Sequence, residues 1–112
     1  MPGRIVHLKT RQELQEFVKT SNAFIIDFTA TWCGPCKTIK PYVETAWEQI
    51  KGKFDFVVVD ADEGSDICSS LKVRGFPTLV SFINKEMAES VQGADIEGIK
   101  HFFQNSYNRV LS

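Results

Sequence analysis

Cys33 and Cys36 stand three residues apart with Gly34 and Pro35 between them, and this spacing admits two kinds of chemistry. The pair can cycle between dithiol and disulfide, or it can supply half of a metal site. Two cysteines three apart close a small disulfide ring when the first lies in a turn and the second in the helix that follows. Gly34 is expected to permit the turn. Pro35 fixes φ in the first helical turn, where a missing N–H costs nothing. Cys33 would then face the positive end of a helix dipole, which favours the thiolate, the nucleophilic form of cysteine. A zinc site needs two further ligands, and Cys68 with His7 or His101 offers none of the usual paired spacing. The Gly-Pro insert therefore favours redox chemistry. A third polar group, Asp27, interrupts an apolar run close by and is either a structural carboxylate or a working one.

The surrounding pattern supplies the elements that would hold these groups. Ala23 to Thr29 is apolar on both alternating faces apart from Asp27, as befits a central strand covered on both sides. From Pro35 to Ile50 the period becomes helical, with Ile39, Tyr42, Val43, Ala46, Trp47 and Ile50 on one stripe, and Pro41 is expected to kink that helix. Ile5 to Leu8 is a short first strand. Thr10 to Glu13 has capping-box spacing ahead of a helix with Leu14, Phe17 and Val18 on its apolar face. Phe54 to Asp60 reads as a second central strand and Ser65 to Leu71 as a short helix. Thr78 to Ile83 and Met87 to Gln92 form a hairpin around Asn84-Lys85, and a last helix runs from about Asp95 to Val110 with Ile96, Ile99, Phe103, Tyr107 and Val110 on the sheet. The order βαβαβαββα implies an α/β three-layer sandwich, a mixed sheet with helices on both faces, over one domain of residues 1–112.

Trp32-Cys33-Gly34-Pro35-Cys36-Lys37 resembles the active-site sequence of the thioredoxin family. The resemblance extends over essentially the whole chain through Ile25-Ile26-Asp27-Phe28, Pro41, Asp60, Gly75-Phe76-Pro77-Thr78 and Gly93-Ala94. It implies a thioredoxin-like fold and a protein-disulfide reductase with no bound cofactor or metal. In that chemistry the Cys33 thiolate attacks a substrate disulfide, and Cys36 resolves the mixed disulfide to leave Cys33–Cys36 oxidised. Cys36, one turn deeper, should be the more shielded thiol. Asp27, desolvated among Ile25, Ile26 and Phe28, should have a raised pKa and accept its proton. The resemblance also implies a cis bond before Pro77, packed against the cysteine pair. Trp32, Gly34, Gly75, Phe76, Gly93 and Ala94 would form a flat apolar docking surface. Electrons would come from NADPH through a thioredoxin reductase.

Two features depart from the family pattern. Phe76 stands where many members have Ile or Met. The strand Phe54 to Asp60 lacks the Lys that bacterial members place beside the buried Asp.

Composition sets the outer bounds. The 112 residues are 43% hydrophobic and 24% charged, with a net charge of -1 and interspersed signs. Such a balance argues against nucleic-acid or membrane partners held by bulk electrostatics. No apolar run approaches a membrane span, and Met1 to Thr10 lacks the apolar core and cleavage site of a signal peptide. Three cysteines suit a reducing compartment, so the expectation is a cytoplasmic monomer acting on disulfide-containing proteins. A secretory oxidase or isomerase is disfavoured because those relatives usually place His between the cysteines. A clamp with idle thiols is disfavoured because Cys33, Cys36, Asp27 and Pro77 are all present. Cys68 reads as a small buried hydrophobe, Trp47 as packing, His7 and His101 as surface, and Asp60, Asp62 and Glu63 as a solvated loop.

Overall fold

Alternation along the central strand decides the layers. In the computed structural model, which describes Met1–Ser112, β1 is Ile5–His7, α1 Arg11–Val18, β2 Ala23–Thr29, α2 Gly34–Ile50 and β3 Asp55–Asp60. These are followed by α3 Ser65–Ser70, β4 Thr78–Ile83, β5 Glu86–Gln92 and α4 Ile96–Leu111. Phe24, Ile26 and Phe28 of β2 join a core cluster with Leu14 and Phe17 of α1 and Ile67 and Cys68 of α3. Ala23 and Ile25 join the opposite cluster, with Ile39, Val43 and Trp47 of α2 and Ile99, Phe102 and Phe103 of α4. Period-two side chains on a strand covered on both faces thus build two cores at once.

The sheet order is β1-β3-β2-β4-β5. β1 and β2 pair parallel to β3, while β4 runs antiparallel to β2 and β5 antiparallel to β4. Parallel pairing demands helical crossovers, and α1 and α2 supply them. The hairpin turns at Asn84 and Lys85, with φ of 53° and 71°, the left-handed pair that suits a tight two-residue turn.

Helix ends follow their local signals. Thr10 and Glu13 form the reciprocal capping box of α1, and Asp95 caps α4 by accepting from the Glu97 amide. Pro41 lies inside α2, and the helix runs through it unbroken. The apolar face of α4 differs from the expected stripe. Ile99, Phe102, Phe103 and Ser106 are buried, whereas Ile96 is 40% exposed. Ile96 sits in the first turn, and the buried positions follow the three-and-four spacing that starts at Ile99.

Candidate active site

The junction between β2 and α2 places the two cysteines. Cys33 is the N-cap of α2 with extended backbone (φ −95°, ψ 104°), and its Sγ accepts from the Cys36 amide at 3.1 Å. Gly34 and Pro35 open the helix. A sulfur in this position faces the free amides of the first turn, so negative charge on Cys33 is favoured once the bond is reduced. Cys33 and Cys36 form a disulfide with Cα atoms 5.3 Å apart. Gly34 is not needed for the turn. It has no left-handed φ, and a Cβ there would meet nothing within 4 Å, so glycine only keeps this edge of the surface low.

The two thiols do not differ in burial as expected; each residue is 5% exposed. They differ in what they face. Cys36 lines a lateral cavity of about 390 Å³ between α2 and the β1–β3 edge of the sheet, and Cys33 does not. Asp27, Thr29, Lys40, Glu44, Trp47 and Val58 share that cavity. Asp27 points to this side because it is two residues from Ile25, so Ile26 and Phe28 lie on the other face of the sheet and do not desolvate it. The desolvation comes from the helix side. Burial pushes the Asp27 carboxyl up to about 6, the nearby Glu44 pushes the same way, and Lys40 opposes both. The missing strand Lys is therefore replaced. Val58 pairs with Asp27 in register, and the cation comes from the helix instead.

The front of the site is assembled from distant segments. The Phe76–Pro77 bond is cis; Pro77 is fully buried, and Phe76 packs against the cluster of Ala30, Cys33 and Cys36. Trp32, 64% exposed, meets the Phe76 ring edge-on at 5.9 Å. Gly93 donates its amide to the Pro77 carbonyl at 2.8 Å, and its φ of 101° is the reason for glycine there. Gly75 lies against the end of the exposed Gln92 side chain, which would have to swing aside for a Cβ. Ala94 follows on the exposed rim. The zinc alternative finds no ligands: no three His, Cys, Asp or Glu side chains converge, and Cys68 lies in the α1–α3 layer.

A family model, Thioredoxin, matches residues 5–105. The chain belongs to the thioredoxin family. It is 36% identical to thioredoxin-1 of Saccharomyces cerevisiae over 96 residues, covering 86% of this chain and 92% of that one. It superposes on mitochondrial thioredoxin 3 of Saccharomyces cerevisiae, in its oxidised form, with a TM-score of 0.82 at 30% identity, covering 90% and 94% of the two chains. A chain from structural work on thiol resolution in yeast mitochondrial 1-Cys peroxiredoxin via glutathione/thioredoxin systems gives a TM-score of 0.81 at 29% identity, covering 90% and 94%.

Membership makes the chain a thiol-disulfide oxidoreductase, a protein-disulfide reductase whose redox centre is Cys33–Cys36. No helix is long and apolar enough to cross a membrane. Four residues of this thioredoxin site have roles that escape a reading of the sequence. Asp62 looks like part of a solvated loop, yet it accepts the Trp32 indole N–H at 3.1 Å and so steers the exposed ring. Asp60 is likewise occupied, accepting the Asp62 and Glu63 amides at 2.9 Å each. Lys40 and Glu44 read as the solvated side of α2, and only packing against β1 and β3 turns them into neighbours of Asp27.

Proposed function

We propose that this protein reduces disulfides in partner proteins with Cys33 as the attacking thiolate, Cys36 as the resolving thiol and Asp27 as its proton acceptor. The supporting observation is the division between the cysteines. Cys33 sits at the helix cap and takes the Cys36 amide, while Cys36 alone shares a cavity with Asp27.

Cys33 sulfur bonds to one substrate sulfur and the other substrate sulfur leaves as thiolate. Cys36 gives its proton to Asp27 and bonds to Cys33, and the second substrate thiolate leaves. The substrate gains two electrons and the Cys33–Cys36 pair loses them. Trp32, Gly34, Gly75, Phe76, Gly93 and Ala94 bound the face on which an extended substrate segment docks, with Pro35 and Pro77 as positioning residues. The large Phe76 ring, braced by Trp32, biases docking toward apolar segments. Electrons return from NADPH through a thioredoxin reductase, with peroxiredoxin-type thiol enzymes as one substrate class, in keeping with the relatives described above. We place the protein in the cytoplasm as a monomer of one domain, residues 1–112, without nucleic-acid or membrane partners; the balanced charge supports the last of these.

The test is adduct trapping. Cys36→Ser should accumulate mixed disulfides with partner proteins through Cys33, counted by mass spectrometry, and Cys33→Ser should accumulate few. Equal trapping by the two variants reverses or removes the assignment. Turnover of a protein disulfide with NADPH and a thioredoxin reductase checks the electron source.

A further inference from the structure

Lys40 and Glu44 lie one turn apart on α2, both exposed, and both line the cavity that holds Asp27 and Cys36. Neither forms an ion pair, although five others occur in the structure. A Lys placed N-terminal to a Glu at this spacing is the weaker orientation for pairing along a helix, which leaves both charges directed at the cavity. Glu48, one turn further and on the same wall, is instead held by Lys51 at 2.6 Å.

The other walls add little charge. β1 contributes the exposed His7 at the rim, β3 contributes Phe56 and Val58, and the β4 partner of Asp27 is Leu79. The cavity, about 390 Å³, has largely apolar walls into which Asp27, Thr29, Lys40 and Glu44 bring polar groups, and it is roomy enough for several waters, each occupying about 30 Å³ of liquid volume. Its position matters. A substrate docked across Trp32 and Phe76 lies over the front of the disulfide, while Cys36 still lines this lateral opening to bulk water.

We propose that Glu44 is the outer station of a proton path running from Cys36 through Asp27 and the cavity water to solvent, with Lys40 as its counter-charge. The inference rests on the reading of Asp27 as the proton acceptor. Cys36 Sγ–H transfers its proton to the Asp27 carboxylate, and the sulfur's electron pair forms the new bond to Cys33. Asp27 then returns the proton through water to the Glu44 carboxylate, which releases it to bulk. Glu44 favours the proton on Asp27 and Lys40 favours its release, so the pair sets both the retention and the exit.

The experiment uses the full chain and insulin as a disulfide-linked substrate. Single-turnover oxidation is followed by Trp32 fluorescence between about pH 5 and 9, where a half-buried carboxyl of this kind titrates. Glu44→Gln should slow the resolving step on the order of tenfold at low buffer, less than loss of a direct acid–base group costs. Added imidazole, a diffusible base, should restore it. The Asp27 midpoint, read by carboxyl NMR, should fall in Glu44→Gln and rise in Lys40→Gln. Glu48→Gln removes the same charge from the same wall and should stay within about twofold of the parent, because an exposed paired charge contributes little. An unchanged Glu44→Gln rate and buffer dependence overturns the path, as does an unmoved Asp27 midpoint or an equal effect from Glu48→Gln. Failure of the parent protein to reduce insulin would instead refute the reductase reading beneath it.

Discussion

Asp27 on β2 and Asp55 on β3 are two carboxylates withdrawn from water on adjacent strands, and the protein treats them in opposite ways. Asp55 is 2% exposed, yet burial is outweighed. The Arg4 guanidinium approaches at 2.8 Å, the Ser21 hydroxyl donates at 2.6 Å and the Arg4 amide at 2.9 Å, and together they hold the carboxyl below its ordinary value. Asp27 lines its own cavity but has no such donors; burial and Glu44 raise it to about 6, with only Lys40 in opposition. A second cavity of about 360 Å³ surrounds Arg4, Ser21 and Asp55, so space alone does not distinguish the regions. The difference is compensation. A compensated carboxylate stabilises the fold and is chemically silent, whereas an uncompensated one costs stability and is left able to exchange a proton near neutral pH.

The largest expected effect tests the uncompensated member. Asp27→Asn should raise unfolding free energy by about 2–3 kcal/mol above pH 6, since each pKa unit corresponds to about 1.4 kcal/mol. The folded pKa is raised, so Asp27 lowers stability only above its unfolded value. The penalty grows from about pH 4 and is complete once pH 6 is passed. Denaturant titrations at pH 4 and pH 8 should therefore show the variant's advantage only at the higher pH. Its disulfide reduction should slow on the order of a hundredfold, the low end for an acid–base group because a thiol ionises partly unaided. An Asp27→Asn protein no more stable than the parent at pH 8 would erase the contrast.

Asp55→Asn should do the reverse, losing about 2 kcal/mol at neutral pH while leaving reductase turnover intact. The exposed Arg4 guanidinium, 39% accessible, can rehydrate and limits the loss. Here the folded pKa is depressed, so the contribution is present above the unfolded value near 3.8 and disappears as pH falls through the lower folded value. Chemical denaturation from pH 7 down to pH 2 should show parent and variant converging at the acid end.

Ser21→Ala removes one neutral donor from Asp55 and should cost about 1 kcal/mol, with the Asp55 midpoint moving upward in an NMR titration. The smallest perturbation brings the two sites together. Val58→Lys puts a cation opposite Asp27 on the cavity wall, the kind of partner Asp55 already has in Arg4. The Asp27 midpoint should then fall below about 6 in a carboxyl NMR titration. No movement would place the new ammonium outside the cavity.

What the sequence determined by itself was whatever local signals encode. Period two over Ala23–Thr29 and period three-to-four over Gly34–Ile50 specify a buried strand followed by a helix. The capping box at Thr10, the turn at Asn84-Lys85 and the Cys33-Gly34-Pro35-Cys36 string act within a few residues. These suffice for the fold and for the redox pair.

The tertiary structure decided everything that depends on which distant group arrives where. Arg4 reaches Asp55 across 51 residues, Asp62 reaches Trp32 across 30, and Gln92 covers Gly75. Asp27 could be identified as an interruption in an apolar strand, but not its neighbours. Alternation turns it away from Ile26 and Phe28, and the crossover through α2 brings Lys40, Glu44 and Cys36 over it. The physical reason is that a side chain's period is written in its own segment. A carboxyl's proton affinity is set by desolvation and charge at short range in space, and those are supplied by other segments.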